Sequence, residues 1–156
     1  MGSSGGGRMS LLSSSLHDEK TFYHAFIRDL EQCTEEVIIE SPYITSDRMA
    51  TLWPVFRKLL ANGVKIYLVT RDPREHYEGM EVQSEEEITK CEIAGIQVLL
   101  CVGNHHRKLA FLDRKVLWEG SLNILSQTHS RELMRRIEDQ KITLETFNFL
   151  KLQKLL

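Results

Sequence analysis

"HHRKLAFLDRKVLWEGSLN", from His105 to Asn123, decides both fold and chemistry. Two apolar runs, "HRKLAFLD" and "KVLWEGS", flank Asp113-Arg114, so the stretch reads as two antiparallel strands joined by a tight turn. Strand alternation puts His106, Lys108 and Ala110 on one face and Arg107, Leu109 and Phe111 on the other. Gly120-Ser121 closes the second strand where a backbone or a substrate can approach closely, and Asn123 follows at the same rim. An imidazole, an ammonium, a hydroxyl and a carboxamide gathered at one rim suit a phosphodiester. Lys108 and Asn123 can hold nonbridging oxygens, while His106 can attack phosphorus or move protons.

Outward from the hairpin, strands alternate with helices. "LHDEKTFYHAFIRDLEQC" carries Phe22, Phe26, Ile27, Leu30 and Cys33 at helical spacing, after serines able to cap. "EVIIESPYI" is a buried strand stopped by Pro42, and "SDRMATLWPVFRKLLANG" is a helix ending at Asn62-Gly63. "VKIYLVT" is a strand and "RDPREHYEGMEVQ" a polar loop. "SEEEITKCEIAGI" is a helix with Ser84 as cap and Glu87 completing a capping box, and "IQVLLCV" is the next strand. "ELMRRIED" adds a strand after the hairpin, and "DQKITLETFNFLKLQKLL" closes the chain as a helix capped near Asp139. The expected fold class is α/β: a mixed, mostly parallel sheet with helices on both faces, in one domain.

The chain has 156 residues, 42% apolar and 27% charged, which is the composition of a soluble globular domain. "MGSSGGGRMS" has no apolar stretch, so residues 1–9 are expected to be an expression leader. Residues 10–156 are then the domain, a piece of a larger protein. No apolar run approaches the ~18 residues of a membrane span. Cys33, Cys91 and Cys101 are odd in number and unclustered, as expected of free thiols in a cytoplasmic protein, and the paired Cys/His spacings of a zinc site are missing. A formal net charge of −2 argues against coating nucleic acid along its whole surface, yet cations gather between His105 and Arg136.

The spacing His106-x-Lys108-x4-Asp113-x6-Gly120-Ser121-x-Asn123 matches without a gap the HxK(x4)D(x6)GSxN signature of the phospholipase D superfamily, which the chain therefore resembles. Only His106, not His105, has Lys two positions on and Asp seven on. The resemblance implies the family's α/β fold and a catalytic set of His106, Lys108, Ser121, Asn123 and, in "SRELMRRI", Glu132, which would orient an imidazole. It also implies a covalent phosphohistidine and no metal or other cofactor. Two copies of the motif meet at one active site in this family. With one copy here, the expectation is a homodimer like the small single-motif bacterial nucleases. Asp113, at the turn, reads as structural.

Further substrate contacts are expected from Tyr43, Arg71, Arg107 and Arg131. Tyr43 follows a strand end, where open α/β sheets bind ligands, and Arg71 follows another. The expected function is thus a metal-independent nuclease, an endonuclease acting on DNA rather than RNA, with no membrane partner and with other domains of a larger protein beside it. Two rivals stay open: a phosphatidyl hydrolase, and a catalytically silent nucleic-acid-binding module.

Overall fold

The apolar runs of the sequence assemble into one sheet. The computed structural model describes residues 13–126 and 129–156. Its strands are β1 (Ser13–Asp18), β2 (Glu36–Glu40), β3 (Lys65–Arg71), β4 (Gln97–Cys101), β5 (Leu109–Leu112), β6 (Val116–Gly120) and β7 (Leu133–Glu138). They lie in the order β1-β7-β6-β5-β2-β3-β4. The helices are α1 (Phe22–Glu31), α2 (Ser46–Ala61), α3 (Glu78–Ala94) and α4 (Gln140–Phe149), with 3-10 turns at Pro73–Glu75 and Leu152–Leu155. The leader expected at residues 1–9 lies outside the described residues.

Consecutive residues of β2 face opposite cores. Val37 and Ile39 join Ala110 and Trp118 against Phe22 and Phe26 of α1, Leu52 and Phe56 of α2 and Ile88 of α3. Ile38, with Phe111, Leu117 and Ile137, packs against Phe147 of α4. Both faces of the sheet are thereby covered, and each apolar side chain removed from water contributes roughly 1.5–3 kcal/mol. Trp118 is fully buried, and its indole N–H donates to Asp29 Oδ2 at 2.8 Å, so the ring leaves no polar atom stranded.

The α/β class and the mixed sheet match expectation, but the sheet is not mostly parallel. Among the described residues β2–β3 and β3–β4 pair in parallel, whereas β1–β7, β7–β6, β6–β5 and β5–β2 are antiparallel. After β4 the chain abandons helical crossovers for hairpin returns, and these place antiparallel neighbours side by side.

Two helix boundaries also differ. Leu16, His17 and Asp18 belong to β1, paired to β7, rather than to the first helix. Asp18 then turns the chain by accepting from the amides of Lys20 (2.9 Å) and Thr21 (3.1 Å), and the helical apolar spacing begins only at Phe22. The serines before it are strand residues, not caps. The polar stretch 71–83 is not a loop throughout, because α3 starts at Glu78. Ser84 is consequently interior to the helix, its hydroxyl donating to Ile44 O at 3.2 Å, and buried Glu87 pairs with Lys90 at 3.0 Å instead of closing a cap. Asp139 does cap α4, accepting from Ile142 N at 2.9 Å. Cys33 and Cys91 are free and buried, and burial pushes both thiols up to about 12.

Candidate active site

The turn of the β5–β6 hairpin points away from the site and anchors it. Asp113 and Arg114 both have φ of 53°, the left-handed pair that a two-residue turn needs. Asp113 Oδ2 accepts from Thr34 N at 2.9 Å, and Oδ1 accepts from Glu35 N at 2.8 Å and Glu36 N at 2.9 Å. Arg114 pairs beside it with Glu36 through Nε at 2.8 Å and Nη2 at 3.0 Å. The motif's aspartate thus ties the hairpin to the start of β2.

The opposite end of the hairpin gathers several of the candidate side chains. There His106, Lys108 and Ser121 line one open cavity of about 630 Å³ together with Arg107, Glu119 and Arg135. His106 is exposed. Lys108 Nζ donates to the His106 carbonyl at 2.6 Å and leaves its other protons to solvent or ligand. Ser121 is partly engaged: its Oγ accepts from Leu133 N at 2.9 Å, which pins the strand end to β7. Gly120 is required at this junction, since a Cβ there would collide with the Leu133 carbonyl and lie 2.9 Å from Met134 Cα.

Asn123 stands apart from that group. Its Oδ1 is buried without a hydrogen-bond partner and belongs to a neighbouring cavity of about 440 Å³, shared with Tyr43, Arg71 and His76. The loop that carries it is well tied: Tyr23 OH donates to Ile124 O at 2.6 Å, and Leu125 N donates to Ser41 Oγ at 3.1 Å. The other expected contacts divide as follows. Arg71 pairs with Glu75 at 3.2 Å and donates to Tyr43 OH at 3.3 Å. Arg131 is exposed at the surface. Glu132 accepts from the Ser130 hydroxyl, and its own amide donates to Glu19 Oε1 at 2.8 Å; no hydrogen bond joins it to His106 among the described residues.

Glu40 was not singled out from the sequence, although it organises the site. It ends β2 with 0% exposure, and Arg107 donates to both its oxygens, at 2.8 Å from Nε and 3.2 Å from Nη2. His105 Nε2 lies 3.2 Å from Glu40 Oε1, a polar contact without good hydrogen-bond alignment. Burial works to raise the Glu40 carboxyl, but the contacts of His105 and Arg107 outweigh it and hold the group below its ordinary value of 4.5. Residues 105 and 107 are therefore fastened to one carboxylate while 106, between them, is left projecting. A glutamate closing the run "EVIIE" is the sequence signal, because a carboxylate ending a buried strand demands a partner. Arg135, one of the cations gathered between His105 and Arg136, lines the same cavity as His106 from β7.

Among the described residues no three or more of His, Cys, Asp and Glu are grouped to hold a metal ion, and no helix is long and apolar enough to cross a membrane.

A family model described as "Cardiolipin synthase, PLD-like domain" matches residues 26–150, which contain the hairpin and strands β2 to β7. The chain belongs to the phospholipase D superfamily. Solved structures with the same phospholipase D fold include NucT from Helicobacter pylori, with a TM-score of 0.67 at 17% identity over 90% of this chain and 94% of that one. A phospholipase D family member, Nuc from Salmonella typhimurium, superposes with a TM-score of 0.69 at 13% identity, covering 90% of this chain and 93% of the other. Phosphatidylserine synthase from Haemophilus influenzae Rd KW20 has a TM-score of 0.61 at 14% identity, covering 93% of this chain but 38% of that one. A search of curated protein sequences finds no match.

Proposed function

We propose that this phospholipase D-like domain is a metal-independent phosphodiesterase that cuts nucleic acid, DNA before RNA, at an active site shared by two copies of the chain. The observation that supports this most is the open cavity in which His106 projects beside Lys108, with Arg107 and Arg135 on its walls. An anion entering there meets Lys108 and Arg135, with Arg107 already paired to Glu40 and with Glu119 on the same lining, next to an exposed imidazole.

In this reading the lone pair of one His106 forms an N–P bond as the P–O bond to the leaving strand breaks. His106 of the partner subunit gives its proton to the departing oxygen. That imidazole then takes a proton from water, whose oxygen bonds to phosphorus while the N–P bond breaks, and both rings return to their starting states. Imidazole suits both tasks because its free pKa of roughly 6.5 keeps either form accessible near neutrality. One ring cannot attack and protonate the leaving group at once, so the single motif calls for a dimer. Lys108 and the Asn123 amide bind the nonbridging oxygens, and Glu132 turns from Ser130 to hold an imidazole N–H.

A second reading, hydrolysis of a phosphatidyl ester, draws on Leu16 and Leu133, which are 56% and 55% exposed on the wall of the same cavity. One assay separates the two. The purified chain and its His106→Ala variant are incubated in EDTA with labelled DNA, RNA and phospholipid. Nucleic-acid cleavage that survives the chelator and vanishes in the variant is the expected result. Turnover of lipid alone favours the second reading, and binding without any turnover favours a silent module.

A further inference from the structure

The smaller cavity raises a question that phosphate chemistry does not answer. It opens where β2 and β3 end, takes Asn123 into its lining two residues on from Ser121 of the larger cavity, and is walled by Tyr43, Arg71, His76, Tyr77 and Met80. Its volume of about 440 Å³ falls in the ordinary range for small-molecule sites.

Its walls are flat and close to neutral. The Tyr43 and His76 rings lie 4.9 Å apart at 38°, and Tyr77 stands beside them 72% exposed. Arg71 is not a free cation: Glu75 sits 3.2 Å away, and the remaining guanidinium nitrogens reach Tyr43 OH at 3.3 Å and Asn104 Oδ1 at 3.4 Å. Burial, helped by Arg71, holds the His76 imidazole below its usual range and so uncharged at neutral pH. Both ring nitrogens of His76 and Oδ1 of Asn123 are closed off from solvent with no hydrogen-bond partner. A neutral imidazole presents one donor and one acceptor, and a carboxamide oxygen a further acceptor. A phosphate would find little net positive charge and a surplus of acceptors, whereas a planar ring with donors and acceptors along its edge fits both the walls and the unmet groups.

We propose that this cavity receives one nucleobase of the substrate strand, adjacent to the phosphate held at His106 and Lys108. This rests on the nuclease reading above and sharpens its substrate class. The base stacks on the Tyr43–His76 wall, and rotation of the His76 ring and the Asn123 amide turns their unpartnered atoms toward its edge. The two ends of the Asn123 amide divide the work, Nδ2 to phosphate and Oδ1 to base. A paired base cannot enter, so the cavity selects single-stranded or locally opened substrate.

The test is a walk of single abasic residues along a labelled single-stranded DNA, with cleavage measured for the wild type, His76→Ala and Met80→Trp, the last of which fills the cavity. One abasic position next to the cut should raise KM about tenfold or more. Each variant should show a similar rise on the intact strand, with no further loss on the strand abasic at that position. Two variants guard against one failing to fold, which thermal melting reports. Equal cleavage at every abasic position overturns the base site and leaves the nuclease reading standing. Failure to cleave any nucleic acid overturns both.

Discussion

At its turn the β5–β6 hairpin commits its polar atoms to the fold, whereas at its open end it leaves them available. Asp113 accepts from three backbone amides and Arg114 is paired with Glu36. Beyond the far end of β5, His106 is exposed, Lys108 holds only a neighbouring carbonyl, and Asn123 Oδ1 has no partner. Yet Asp113, His106, Lys108 and Asn123 belong to one spaced motif. The difference teaches that a motif can be contiguous in sequence and divided in function: one end fixes register so that the other can stay unpaired at a defined place.

The contrast is tested hardest by His106→Ala. An exposed ring with no hydrogen bond carries no fold, so phosphodiester turnover should fall on the order of 10³-fold, while thermal melting stays where it was. A large drop in melting temperature would erase the distinction between the two ends. Asp113→Ala is the reciprocal change. Stranding three amides should cost about 2–3 kcal/mol in urea unfolding, with turnover per folded molecule retained near the wild-type level.

Glu40→Gln probes the fastening between those ends. Losing the charge that holds His105 and Arg107 should lower kcat/KM about tenfold, because the projection of His106 loosens. It also has a pH consequence. The folded carboxyl lies below its ordinary value of 4.5, so its contribution to stability is complete above that value and is lost as pH falls through the depressed folded one. The variant should lack this part of the acid-side slope in an unfolding series. Arg135→Ala should act least. Removing one rim cation should raise KM roughly two- to threefold and reduce the salt dependence of DNA binding by about one counterion.

The motif spacing and the hairpin turn were legible in the sequence because local pattern sets them. The strand expected from His106 onward begins only at Leu109, however, and residues 105–107 are placed by the contacts of His105 and Arg107 with Glu40 instead. The spacing from His106 to Lys108, the turn at Asp113-Arg114 and the closure at Gly120-Ser121 need no tertiary information. The strand β1 was hidden for a physical reason: "SSSLHD" has no apolar alternation, and it becomes a strand only because β7 offers an open edge. The parallel share of the sheet was overestimated because strand propensity carries no direction. The grip of Glu40 on His105 and Arg107 joins residues 65 or more positions apart, and the separation of Asn123 from His106 into adjoining cavities depends on how the loop after β6 docks onto Tyr23 and Ser41. Such contacts are set by packing, beyond the reach of local pattern.

The central claim is that His106 carries the phosphoryl group in a site made by two chains. It is tested most directly by quenching the wild-type protein in alkali during turnover of labelled DNA in EDTA, then counting the label bound to His106. The account predicts an acid-labile label at that residue, approaching one per two chains. Continued turnover with no label on His106, or turnover that stops when the chelator is added, would contradict it.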